Sequence, residues 1–217
     1  MQSVKNRIVR VAEKLFFEHG IANVRLQQIA DGAGISVGHL AYHYKNKELI
    51  VSAAYVQVFD YMSKILNAPL RPSGLEDFDK LFKAVYHLII TYPFCFNNKW
   101  EIARYHPLIA SQWDKFLDKK LALTQKIISL QITKGNFKPE PYKDAYKLLA
   151  QQMQLVFHFW MPYQMLQAKP VTSKLLETNL WSLIYPHLTP KGAREYQKLI
   201  FGKKSTTAKT VLKKIRK

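Results

Sequence analysis

The stretch IADGAGISVGHLAYHYKNKELI, residues 29–50, limits the fold more than any other part of the chain. Glycines at 32, 34 and 38 break any single long helix through it. Ile29, Ala30, Ala33, Ile35, Leu40 and Leu49 still recur at the spacing of helix faces. The pattern calls for two short helices joined at a glycine corner, with His39, Tyr42 and His43 pointing outward. Such a pair needs a small residue where the helices approach, a residue of positive φ at the corner, and an apolar pin on the second helix. Ala30, Gly34 and Leu40 meet these needs at positions 5, 9 and 15 of a twenty-residue unit beginning at Leu26. This is the spacing of a helix-turn-helix, which leaves the outer face of its second helix free to enter a major groove. An ordinary helical hairpin with the same corner satisfies it as well.

The flanking pattern is helical throughout. Val4, Ile8, Val11, Ala12, Leu15 and Phe16 mark one face of a helix ending near Gly20. Ser36 is a candidate N-cap for a helix through about His43, and a longer helix runs over 47–67 with Glu48 in its first turn. NAPLRPSGLEDF breaks that helix, and Ser73 or Asp77 starts the next. Further helices are predicted over 75–92, within the aromatic corner PFCFNNKWEIARYHP, and over 107–134, 141–168, 172–186 and 190–202. No period-2 run bounded by hairpin turns is present, so the fold class is all-α. The expected organisation is an N-terminal three-helix unit (1–50), linked through helix 47–67 to a larger helical domain (51–202), and then a basic flexible tail (203–217).

The block around the corner carries a resemblance. AEKLFFEHG (12–20), QQIADGAGIS (27–36) and GHLAYHYKNKELI (38–50) together resemble the tetracycline-repressor (TetR) family of bacterial regulators. The resemblance covers residues 4–50. It implies a helix-turn-helix DNA-binding unit followed by a variable helical domain for ligand binding and dimerisation. Ala41 stands where the family commonly has a phosphate-contacting tyrosine, and Tyr44 replaces a core phenylalanine. Tyr42 lies about 100° further round the helix and does not replace the missing hydroxyl.

By matched position, Gln27 and Gln28 stand near the DNA backbone at the start of the first motif helix. Ser36, Val37, Gly38 and His39 form the leading end of the recognition helix. Val37 offers an apolar surface to a thymine methyl, and His39 a donor to a base edge or phosphate. Tyr42 and His43 are placed for phosphate oxygens, as is Lys47 at the head of the next helix. His39 and His43 also have the i, i+4 spacing of metal ligands, but no third ligand is evident nearby, and no metal or cofactor is expected.

Charge and composition agree with a polyanionic partner. The formal net charge is +18, and the last fifteen residues carry seven basic and no acidic side chains. Cys95 is the only cysteine, so an intramolecular disulfide and a multi-cysteine zinc site are excluded; a buried apolar role is expected for it. The N-terminus lacks the apolar block of a signal peptide, and no apolar run approaches a membrane span, so a cytoplasmic protein is expected. No phosphate loop, nucleophile elbow or metal-hydrolase motif is present, and no enzymatic activity is expected.

In the larger domain, Tyr146, Leu149, Ala150, Met153, Phe157, Trp160 and Met161 share one helix face, with Leu148, Leu155 and Phe159 on a second. The resemblance implies that the last two long helices pair with their copies in a homodimer; a monomer core would look alike. Pro162 should kink its helix. Phe94, Trp100, Tyr105, Trp113, Phe157 and Trp160 are candidates for an apolar ligand pocket, with Phe96 beside them and Arg104 and His106 to orient the ligand. Few acidic residues in this corner favour a neutral or anionic hydrophobic effector. The expected function is a dimeric regulator, most simply a repressor, reading a palindromic double-stranded operator and released by a small hydrophobic molecule. The rival is a sequence-indifferent polyanion binder. A membrane-anchoring tail (TVLKKIRK) ranks last, being short and weakly apolar.

Overall fold

The computed structural model describes residues 3–67 and 74–201. The predicted tail and the Ser73 cap lie outside the described residues. The helices are α1 (Val4–His19), α2 (Leu26–Gly32), α3 (Val37–His43), α4 (Lys47–Leu66), α5 (Glu76–Thr91), α6 (Phe94–Asn97), α7 (Lys99–Tyr105), α8 (Pro107–Thr133), α9 (Ala145–Leu166) and α10 (Ser173–Ile184). A 3-10 turn (Tyr185–His187) and a last helix, α11 (190–201), follow. Among the described residues, extended pairing is limited to one antiparallel bridge between Phe137 and Leu188.

The chain forms two compact units, and α5, α8 and α9 each contribute residues to both. Of the described residues, the first unit gathers 3–67, 85–119 and 158–170; the second gathers 74–84, 120–157 and 171–201. α6 packs on α1, so the first compact unit includes more than the N-terminal three helices.

In the first unit the caps follow the sequence. Ser3, Ser36 and Asn46 each accept a hydrogen bond from the amide three residues on, opening α1, α3 and α4. α1 ends at Gly20, with φ +78, whose N–H donates to the Phe16 carbonyl. Gly34 holds the corner at φ +63. A Cβ there would meet nothing within 4 Å, so the backbone angle alone demands glycine. Gly32 has a different reason. α2 runs through it, and a Cβ would come within 2.7 Å of Val11 Cγ1 on α1. Ala30 and Leu40 are fully buried, as the motif requires.

Contrary to the expectation that no apolar run approaches a membrane span, α4 is long and apolar enough by composition to cross one. Its packing accounts for the apolarity: Ile50, Val51, Ala54, Tyr55, Val58, Phe59 and Met62 are all buried, and the helix packs on α1. The aromatic corner holds two short helices rather than the one expected, separated at Asn98. Phe94 sets its ring against the edge of Tyr55 at 5.3 Å and lies 6.5 Å from Phe16.

The second unit is built on an aromatic cluster. Phe78, Phe82, Phe137, Phe157 and Trp181 meet in stacked, tilted and edge-to-face pairs with centroids about 6 Å apart. Gln131 is fully buried; it donates to the Gly74 carbonyl at 3.0 Å and accepts from Asn136 Nδ2 at 2.9 Å. α11 lies so close to the loop after α8 that a Cβ on Gly192 would overlap the Asn136 carbonyl oxygen. α9 begins at Ala145 rather than 141, because Asp144 takes a left-handed φ of +65 just before it.

Candidate nucleic-acid interface and effector residues

α3 is held by its buried Leu40 and presents its other faces outward. Ser36, Gly38, His39 and Tyr42 are exposed, and Val37 and His43 are half-buried. Tyr42 is 84% exposed, the one large hydrophobic side chain on this helix left open. The imidazoles of His39 and His43 lie 5.1 Å apart between centroids, and Tyr42 meets His43 edge-on at 5.2 Å. His43 Nε2 is enclosed without a hydrogen-bond partner among the described residues. Ala41 is exposed, so the departure from the family pattern falls on the surface.

The two glutamines of α2 are exposed but engaged. Gln27 donates to Asp31 Oδ1 at 2.7 Å, one turn along. Gln28 Oε1 accepts from the Arg25 amide at 2.8 Å and so caps its own helix. Among the described residues, no cluster of three or more His, Cys, Asp or Glu that could hold a metal ion is present.

Lys47 departs most from expectation. Its ammonium donates to the carbonyls of Ile21 at 2.8 Å, Ala22 at 3.1 Å and Val24 at 3.0 Å. An ammonium has three N–H donors. All three are engaged by the α1–α2 loop, so Lys47 acts here as a staple of the unit and not as a free phosphate contact.

Two residues from α6–α7 hold the end of α1 and the loop that follows it. Asn98 is buried, and its Nδ2 donates to the Phe16 carbonyl at 3.0 Å and the Phe94 carbonyl at 2.7 Å. Glu101 Oε2 accepts from the Ile21 amide at 3.1 Å. These partners lie 82 and 80 residues apart in sequence, beyond the reach of periodicity or capping rules.

The candidate effector residues divide. Trp100 is 80% and Tyr105 63% exposed, and Arg104 is exposed beside them. α7 buries only Ile102, so the rest of this short helix faces outward, and these three do not line an enclosed pocket. His106 is half-buried. Phe94, Trp113 and Trp160 are core residues of the first unit, and Phe157 of the second. Trp113 belongs to an aromatic box: Lys99 Nζ lies 5.3, 5.7 and 5.3 Å from the ring centroids of Phe96, Trp113 and Phe159. Burial lowers the Lys99 pKa to about 7, although these rings favour its charged form. Cys95 is buried, its Sγ donates to the Tyr92 carbonyl at 2.9 Å, and burial raises its pKa. Pro162 lies inside α9, which continues to Leu166.

Glu13 is the most perturbed acid. Burial raises its pKa to about 7, against the opposing attraction of Arg10. Because its folded value lies above the usual 4.5, this group favours folding at low pH, and that contribution is lost as pH rises through about 7. Glu13→Gln is therefore expected to raise Tm, and to raise it more at pH 8 than at pH 5. Thermal melts at the two values check this; an equal shift at both would reject the burial argument.

Comparison with known proteins matches these parts to one family. Residues 8–54 match the family model for bacterial regulatory proteins of the tetR family, and residues 59–196 match the TetR model described as a bacterial transcriptional repressor. The chain is 30% identical over 91 residues to the HTH-type transcriptional repressor KstR2 of Mycolicibacterium smegmatis, covering 40% of this chain and 43% of that protein. It is 35% identical over 52 residues to the HTH-type transcriptional regulator TtgR of Pseudomonas putida, covering 24% of this chain and 25% of that one. The matched stretches thus span less than half the length of either relative. A TetR-family regulator from Marinobacter aquaeolei superposes with a TM-score of 0.79 at 24% identity, covering 88% of this chain and 93% of that one. The ketosteroid transcriptional regulator KstR2 of Mycobacterium tuberculosis superposes at 0.64 with 19% identity, covering 87% and 97%. With both models matched in order along one all-helical chain, the protein belongs to the TetR family of bacterial transcriptional regulators.

Proposed function

We propose that the protein is a dimeric, sequence-specific DNA-binding repressor that a small hydrophobic ligand releases from a palindromic operator. The observation that carries this reading is α3: a short helix pinned by Leu40, capped by Ser36, and exposed along Ser36, Gly38, His39 and Tyr42. Two such helices about one DNA turn apart, ~34–36 Å, read a two-fold site. Val37 and His39 are assigned to base edges, and Tyr42 and His43 to phosphates. Gln27 and Gln28 flank them.

A second copy has a surface to meet. Leu148, Leu155, Phe159, Tyr163 and Leu166 repeat along one side of α9, each at least 46% exposed. The second apolar face of this helix is thus open in the single chain, as expected of a helix that pairs with its copy. The apolar character of the effector rests on family likeness and on the ketosteroid named for one structural relative.

Selection from random duplex DNA tests the reading. Recovery of a two-fold symmetric site, with affinity falling steeply with salt, is the expected result. Equal affinity for random duplex at one salt concentration would favour the sequence-indifferent alternative. Gly38 gives a second test. It is exposed, and a Cβ would meet only Ser36 Oγ at 3.9 Å, so the fold does not require glycine there. Gly38→Ala should leave Tm unchanged or stabilise α3 by up to about 1 kcal/mol. It should weaken operator binding about tenfold, because the added methyl meets the groove floor. Unchanged affinity would show that the head of α3 stands off the DNA.

A further inference from the structure

A groove of about 460 Å³ runs along α1, away from the residues assigned above to an effector, save Phe94. Arg10, Glu13, Lys14 and Phe17 of α1 form one wall, and Gln57 of α4 another. Ile90 to Pro93, at the end of α5, and Phe94 close it. All belong to the first unit.

The lining is graded. Arg10 and Lys14 are exposed at the rim, where water and salt screen them. Lys14 faces Glu18 at 3.9 Å. Deeper in, Glu13, Phe17, Gln57 and Tyr92 are half-buried and Phe94 is buried. Glu13 Oε1 is enclosed and has no hydrogen-bond partner among the described residues. A buried carboxylate oxygen left unpaired is costly, and a donor or cation brought to it removes that cost. Phe17, Tyr92 and Phe94 bring aromatic rings to the lining, and Ile90 and Pro93 bring apolar surface. A carboxylate among aromatic rings is the chemistry that recognises an ammonium on an apolar body.

We infer that this groove is a second ligand site, and that it takes a primary amine carried on a short aromatic or alkyl body. The ammonium pairs with Glu13, and the body lies against Phe17, Tyr92 and Phe94. An occupant touches α1, α4 and the α5–α6 junction together, so it bears on the helix packing that holds the DNA-binding unit. The site does not depend on the operator reading, because amine binding is measured without DNA.

Several groups surround Glu13. Arg10 and Lys14 stand on its own helix. Tyr92 and Cys95 each feel the Glu13 charge, and Asp60 and Tyr61 of α4 act in turn on Tyr92. His87 of α5 hydrogen-bonds Tyr61 and Thr91 there. Rim cations attract anions, so an anionic isostere is the main rival. Glu13 must be ionised to hold an ammonium, and burial places its titration near pH 7. Amine affinity should therefore rise between pH 6 and pH 8, by up to about tenfold per unit below the Glu13 pKa.

Calorimetric titration of the full chain with phenethylamine, phenethyl alcohol and 3-phenylpropionate tests the proposal. Expected are saturable phenethylamine binding that strengthens from pH 6 to pH 8, and at least about tenfold weaker binding of the alcohol and the acid. Glu13→Gln should remove most of the amine affinity and its pH dependence, with circular dichroism unchanged. Phe17→Leu should weaken binding several-fold at every pH. If Glu13→Gln does not fold, the wild-type pH series and Phe17→Leu decide. Three results overturn the proposal: amine binding within twofold in a folded Glu13→Gln protein, affinity flat from pH 6 to pH 8, or phenylpropionate binding as tightly as phenethylamine.

Discussion

Lys47→Met is expected to destabilise the protein by about 2–4 kcal/mol and to weaken DNA binding to every sequence alike. Methionine keeps the length of the stem and removes every donor. The carbonyls of Ile21, Ala22 and Val24, which now share one ammonium, would each lose it. Those of Ile21 and Val24 lie in part-buried surroundings, where water replaces the ammonium poorly, while that of Ala22 is exposed. Two strong bonds and one weaker one set the size of the effect. Without them the α1–α2 loop loses its tie to the head of α4, which loosens α2 on α1 and, through α2, the placement of α3. The effect on DNA is therefore indirect, and the salt series shows it. A residue that touches phosphate lowers the salt slope by about one when removed. A residue that positions the unit leaves the slope of the remaining folded protein unchanged. Urea unfolding gives the stability term, and binding at several salt concentrations gives the slope. A stable Lys47→Met protein with a shallower slope would return Lys47 to the phosphate contacts.

This residue also shows what the sequence can and cannot tell. The corner at Gly34, the cap at Ser36 and the pin at Leu40 are legible because each is decided within a few residues by φ, a side-chain oxygen or helix period. Lys47 sits in a readable motif, but its partners lie 23 to 26 residues back, and nothing local distinguishes an ammonium aimed at carbonyls from one aimed at DNA. Gly32 reads only as one more helix breaker until α1 is in place and Val11 fills the space of its missing Cβ. The aromatic corner misleads for a different reason. Trp100 and Tyr105 have the composition of a pocket, yet α7 has one buried residue, Ile102, and turns both rings outward. Composition names what could line a cavity; only packing decides which side of a short helix faces in. On α9 the sequence shows two apolar faces, and the one through Leu155 and Phe159 is exposed in the single chain.

Asn98→Ala combined with Glu101→Ala should loosen the end of α1, at a cost of about 2–4 kcal/mol in global stability. The two side chains act on either side of Gly20: Asn98 on the Phe16 carbonyl, Glu101 on the Ile21 amide. Neither contact is the sole support of its region. The Phe16 carbonyl also accepts from the Gly20 amide at 3.0 Å, and Lys47 still holds the Ile21 carbonyl. The protein should thus fold, with the damage confined to this turn. The Ile21 amide loses its acceptor, so its hydrogen exchange should quicken about ten- to a hundredfold beyond what the global loss of stability explains. Amides in the middle of α4 should follow the global term alone. Because both residues brace the same turn, the double variant should lose less or more than the two singles added, by about 0.5 kcal/mol or more. Strict additivity would mean that the two contacts are independent. An Ile21 amide that exchanges no faster than the core would mean that α6 and α7 merely lie beside α1 and do not set where the DNA-binding helices begin.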